Sequence, residues 1–310
     1  MEETTFLTTY QPRLLTQIKK MIEHGHLAHA YLFEGDQGTG KHELSMWLAK
    51  RLFCETPVDG NPCNHCLQCL RIAQGEHPNV RIIQPEGLTI KVDQIRQLQS
   101  EFTKSGFEQK LQCFIIQEAD KMSVPAANSL LKFLEEPEGT FVAILETNAL
   151  GKILPTIQSR CQVVHFTPLS KEQLYQRLLE ASVPDASAKL LVQLTNSFEK
   201  AVEISTDEWF NDAKDSVIKW FQLLTNQSLN AYLYVQRKLV IKAKERKQQE
   251  QILQLLQILY QQTLTQGEST NYQAVEAILD AKRKLAANVS FQNVAEQLAL
   301  RLIHKKFKER

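Results

Sequence analysis

Ala30-Tyr31-Leu32-Phe33 is a short apolar run, and Gly35-Asp36-Gln37-Gly38-Thr39-Gly40-Lys41-His42 follows it after one glutamate. The run reads as a buried strand. The spacing from Gly35 to Gly40-Lys41 is that of a phosphate loop. Its glycines let backbone N–H groups turn onto a phosphate, and Lys41 adds positive charge. Glu43 to Phe53 carries apolar Leu44, Trp47, Leu48 and Leu52 at helical spacing, so a helix points its N-terminus at the same place. Position 42 departs from the pattern. A Ser or Thr there would hold magnesium, whereas His42 is a poor ligand for a hard cation. Residues 35–42 could therefore bind ATP or ADP, over a degraded Mg²⁺ site.

Four more apolar runs follow: Val80–Ile83, Leu111–Ile116, Phe141–Leu145 and Gln162–His165. They are rich in β-branched or aromatic residues and read as strands. Helical patterns separate them, one capped by Asp93 and running to about Thr103, another from Ala126 to Glu136 behind Pro125. Strands alternating with helices predict a parallel five-stranded α/β sheet with helices on both faces. The third strand is followed by Gln117-Glu118, where a nucleotide site would carry Asp-Glu. A neutral amide at 117 cannot replace the charge of an aspartate beside Mg²⁺. Glu118 could orient a water or be a solvated carboxylate.

Beyond Pro168 only helical patterns remain: 170–180, 184–194, 207–224, 229–248, 250–266, 272–286 and 290–308. Three parts are expected: 1–167, a small helical part over 168–206, and an all-α part over 207–310. Trp209, Phe210, Trp220 and Phe221 recur about three turns apart and read as core. Arg237 to Glu250 and His304 to Arg310 are basic and read as solvated faces.

Cys54, Cys63, Cys66 and Cys69 form a C-x8-C-x2-C-x2-C cluster beside the turn-rich Asp59-Gly60-Asn61-Pro62. Four thiolates at that spacing can close a structural Zn²⁺ site, which leaves no open position for metal chemistry. His65 lies within the cluster and is surplus to it. The net charge is +1, which argues against a wholly electrostatic nucleic-acid binder. No run approaches a membrane span, and Met1 to Thr5 lacks a secretory start. A reducing cytoplasm is the expected setting.

Ala28-His29-Ala30-Tyr31-Leu32-Phe33, the glycine loop, the four cysteines, Asn128-Ser129-Leu130-Leu131-Lys132-Phe133-Leu134-Glu135-Glu136-Pro137 and Ser159-Arg160-Cys161 occur in this order. Together they resemble the clamp-loader branch of the AAA+ ATPases, densely over 28–166 and weakly beyond. The resemblance implies an AAA+ domain with a zinc knuckle, a helical lid domain and a helical collar. It implies a heteropentamer with gamma or tau motors and a delta subunit, which loads a sliding clamp onto primed DNA. It gives Arg160 the role of an arginine finger in trans and places Asn148 near the family's sensor position. The family's motors carry Gly-Lys-Thr and Asp-Glu. With His42 and Gln117, this chain is expected to be a stator that hydrolyses little in cis. An active motor with an unusual metal site is the alternative.

Overall fold

The computed structural model describes residues 2–104, 111–135, 139–264 and 271–303. Residues up to Arg177, together with Asn196–Glu199, form one compact unit; Leu178–Thr195 and the chain from Lys200 form a second.

The first unit is built on five parallel strands: β1 (Ala30–Glu34), β2 (Val80–Ile83), β3 (Gln112–Ile116), β4 (Phe141–Thr147) and β5 (Gln162–His165). Their order across the sheet is β2-β3-β4-β1-β5. β4 is buried along its whole length and β1 along all but its last residue, as strands covered on both faces must be. The chain leaving β1 crosses to one edge, while the chain leaving β4 crosses to the other. The crevice where those crossovers diverge, at the carboxyl ends of β1 and β4, is where open α/β sheets bind ligands. One core layer packs Leu32, Phe114, Ile116, Leu130, Ala143 and Leu145.

The helices of this unit include α1 (Glu3–Tyr10), α2 (Pro12–Glu23), α3 (Lys41–Phe53), α4 (Leu67–Gln74), α5 (Val92–Lys104), α6 (Val124–Glu135) and α7 (Pro155–Gln158). α1, α2, α4 and α7 carried no sequence expectation. Asp93 does not cap α5 but lies in its first turn. The preceding residue, Lys91, donates its N–H to Gln94 Oε1 at 2.9 Å, so the glutamine supplies the end contact. Glu136 and Pro137 lie outside the described residues.

α8 (Lys171–Glu180) opens as expected on Ser170. The Gln173 N–H donates to Ser170 Oγ, and the Ser170 N–H donates to Gln173 Oε1, a reciprocal cap. α9 (Asp185–Leu194) and α10 (Phe198–Thr206) follow. Asp207 caps α11 (Glu208–Thr225) by accepting from the Phe210 N–H.

The expected helix over 229–248 is not one helix. It runs as α12 (Asn230–Tyr234), a π-turn (Val235–Leu239) and α13 (Val240–Lys242), and ends at Ala243. α14 (Arg246–Leu264) starts four residues before the expected position. Gln248 causes the shift: its Oε1 accepts from the N–H groups of both Lys244 and Glu245 at 3.0 Å, which satisfies a helix start there. α15 (Asn271–Ala286) and α16 (Phe291–Ile303) complete the second unit. Its core includes Phe210, Trp220, Leu253, Leu256, Ile278 and Leu298. Trp209 and Phe221 are half-buried, on the Lys242 carbonyl and the Tyr260 ring respectively. The tail from His304 lies outside the described residues.

Candidate functional site

Residues 35–42 turn from the end of β1 into α3. Gly38 and Gly40 hold φ of +79° and +100°, which side-chain-bearing residues adopt only with strain. A Cβ on Gly40 would lie 2.6 Å from Phe6 Cε1. α1 therefore packs directly against the loop. Gln11, buried at the junction of α1 and α2, donates from Nε2 to the carbonyls of Thr39 and Thr167, each at 2.8 Å. Thr39 Oγ1 donates to the Asp36 carbonyl. The loop thus has a fixed shape.

Lys41 is 7% exposed. Its Nζ donates to the Gly35 carbonyl at 2.7 Å, the Asp36 carbonyl at 2.7 Å and Asn148 Oδ1 at 2.8 Å. An ammonium has three donors, and all three are engaged. Burial pulls the Lys41 pKa below its ordinary value, against the opposing pull of Glu146, Asp36, Glu199 and Glu34. Asn148 is held in turn by Asp120, whose Oδ1 accepts from the Asn148 N–H and from Thr147 Oγ1.

The structure brings His42 and Gln117 together. Gln117 Nε2 lies 2.7 Å from His42 Nδ1, and His42 Nδ1 lies 3.2 Å from Glu146 Oε1. Burial alone would lower the His42 pKa. The hydrogen bond and charge of Glu146, which is 6% exposed, outweigh it and hold the imidazole above its usual value. Position 42 is therefore filled by an imidazole that pairs with a buried carboxylate and has an amide beside it. Glu118 sits at φ +48° and pairs with Lys121. Together with Gly38, Lys41, Asn148 and Glu199 these residues line a cavity of about 370 Å³.

The cysteine cluster runs from Cys54 at the end of α3 to Cys69 in the first turn of α4. The four Sγ atoms are all within 4.8 Å of one another. A tetrahedral zinc with Zn–S of about 2.3 Å needs sulfurs about 3.8 Å apart, and Cys63 and Cys69 lie at 4.0 Å. The N–H groups of Cys63 and Cys66 donate to the sulfurs of Cys54 and Cys63 respectively, each at 3.3 Å. A bond from Thr56, with backbone donors, draws the Cys63 thiol down to about 5, whereas burial pushes Cys54 and Cys69 up. The set could hold a metal ion such as zinc. His65 is exposed and turns its Nδ1 to the Cys63 carbonyl, outside the cluster.

Arg160 stands between α7 and β5, away from the loop. Its guanidinium pairs with Glu135 at the end of α6 and donates to the Thr156 carbonyl at 2.9 Å. Cys161 beside it is buried in the sheet core. Sequence reasoning took Glu135 for a helix end and gave no role to Glu146, Asp120, Gln11 or Glu199. Periodicity and spacing carry no signal for partners on different elements, whether 27 residues apart, as Asp120 and Thr147 are, or 104 apart, as Glu146 and His42 are.

The family described as "DNA polymerase III, delta subunit" matches residues 10–170. The DNA polymerase III subunit delta' of Bacillus subtilis is 38% identical, over 94% of this chain and 96% of its own length. The subunit delta' of Pseudomonas aeruginosa is 35% identical, over 60% of this chain and 56% of its own. The subunit tau of Escherichia coli is 34% identical, over 54% of this chain and 26% of its own.

Proposed function

The chain belongs to the DNA polymerase III delta-prime family of AAA+ clamp-loader subunits, and from that premise we propose that it is the stator of its complex. It assembles with gamma or tau motors and a delta subunit, and the complex places a sliding clamp on primed DNA. It offers Arg160 in trans to ATP held by a neighbouring motor, where a guanidinium neutralises charge that develops on the transferring phosphate. It hydrolyses little or no ATP itself. The helices over 168–206 serve as a lid and those over 207–310 as a collar. The cysteine cluster holds one structural zinc, and the protein works in the cytoplasm.

One observation carries this reading: His42, which pairs with Glu146, and Gln117 beside it stand where a motor needs a hydroxyl and a carboxylate for magnesium. The experiment is ATP turnover by the purified chain, alone and then mixed with motor and delta subunits, clamp and primed DNA. The expected result is no turnover alone and stimulated turnover in the mixture. Robust magnesium-dependent turnover by the chain alone refutes the reading and makes it a motor.

A further inference from the structure

Glu199 comes from the segment Asn196–Glu199, which joins the first unit although the chain on both sides of it belongs to the second. Its carboxylate lies against the phosphate loop at Gly38. A Cβ built on Gly38 would run into both carboxylate oxygens. The carboxylate is held there. Ser197 Oγ donates to Glu199 Oε2 at 3.3 Å. The neighbouring Phe198 ring lies under the Arg177 guanidinium, with the carbon 3.9 Å from the ring centroid, and Arg177 also stacks on Phe6 at 4.8 Å. Arg177 Nη1 donates to the Gly38 carbonyl at 3.4 Å. Arginine on several rings is a stable arrangement, and here it ties the segment to the loop.

We propose that Glu199 is an internal anion that occupies the phosphate cradle, so that docking of residues 196–199 and binding of a nucleotide are mutually exclusive. A phosphate entering the loop meets a negative group already in place. Glu43, Glu118 and Glu146 line the same cavity and add to the negative field that the newcomer meets. The glycines keep the loop open enough for a phosphate, and Glu199 keeps the phosphate out. The lack of turnover in cis thus has a second cause, separate from the metal position: the substrate does not bind. The inference rests on reading the loop as a phosphate cradle and is independent of the role of Arg160.

The test is isothermal titration of the full chain with ATP, ADP and pyrophosphate, with and without Mg²⁺. Glu199→Gln keeps the shape and removes the charge. It should tighten ATP and pyrophosphate binding at least tenfold over the natural chain, and Lys41→Ala in the same background should abolish the gain. Glu203→Gln, an exposed carboxylate one turn along α10, should change nothing. Glu199→Asp, which withdraws the carboxylate by one methylene, should give a smaller gain and serves if the glutamine variant does not fold. Equal binding by the natural chain and the Glu199 variants, whether tight or absent, overturns the proposal and leaves the trans role of Arg160 standing. A gain that survives Lys41→Ala overturns it too, because the ligand is then bound elsewhere.

Discussion

Replacing Arg160 with alanine should separate rate from stability. The side chain is 36% exposed and its partner Glu135 is 38% exposed. An ion pair so open to water is worth about 0.2–1 kcal/mol. The bond to the Thr156 carbonyl adds about 1 kcal/mol. The loss of fold stability should therefore stay below about 2 kcal/mol, and the subunit should still enter its complex. The loss of rate should be far larger. A finger in trans is worth about 10³-fold or more, which is about 4 kcal/mol of barrier. The assay is ATPase of the reconstituted complex with clamp and primed DNA, after gel filtration has shown full incorporation. Only the site that Arg160 serves should fail, so turnover falls by that site's share and single-site burst kinetics show the full drop. Arg160→Lys should not restore it, since an ammonium lacks the planar fork. A complex that assembles with Arg160→Ala and turns over at the unaltered rate at every site refutes the reasoning.

Other expectations follow from the same geometry. Cys69→Ser should lower the zinc content from one ion per chain toward none, as measured by elemental analysis, and a chelator should do the same to the natural protein. Gln11→Ala strands two carbonyls in a buried junction and should lower stability by about 2–3 kcal/mol in urea unfolding. Gly40→Ala forces a left-handed residue against the Phe6 ring and should cost about 1–3 kcal/mol. His42 has a raised folded pKa. Its pairing with Glu146 therefore stabilises fully below the ordinary histidine value and is lost as pH rises through the folded one. The stability advantage over His42→Gln should be present at pH 5.5 and gone at pH 8; an advantage that grows with pH would contradict the pairing.

The five strands were legible because each is a short β-branched or aromatic run between polar breaks, and β2 and β5 match their expected bounds residue for residue. The glycine loop and the cysteine cluster were legible because a few residues at fixed spacing carry both. The break at Ala243 was not, because it depends on one glutamine side chain reaching back to two N–H groups. The saturation of Lys41 was hidden for another reason. Asn148 lies 107 positions from it in the chain, and only the pairing of β1 with β4 brings the two together. The Arg160–Glu135 pair joins two motifs that the sequence displayed separately, with nothing to say that they touch.

The six cysteines also divide the chain for a chemist. Cys113 and Cys161 are buried in the sheet, and burial pushes each thiol up to about 12, so neither offers a thiolate to an alkylating reagent near neutral pH. The other four sit in one cluster. Among these Cys63 has its thiol drawn down, whereas Cys69 is buried and its thiol pushed up, so an alkylating reagent on the folded, metal-free protein should mark Cys63 first and spare Cys69, Cys113 and Cys161 until the packing around them opens.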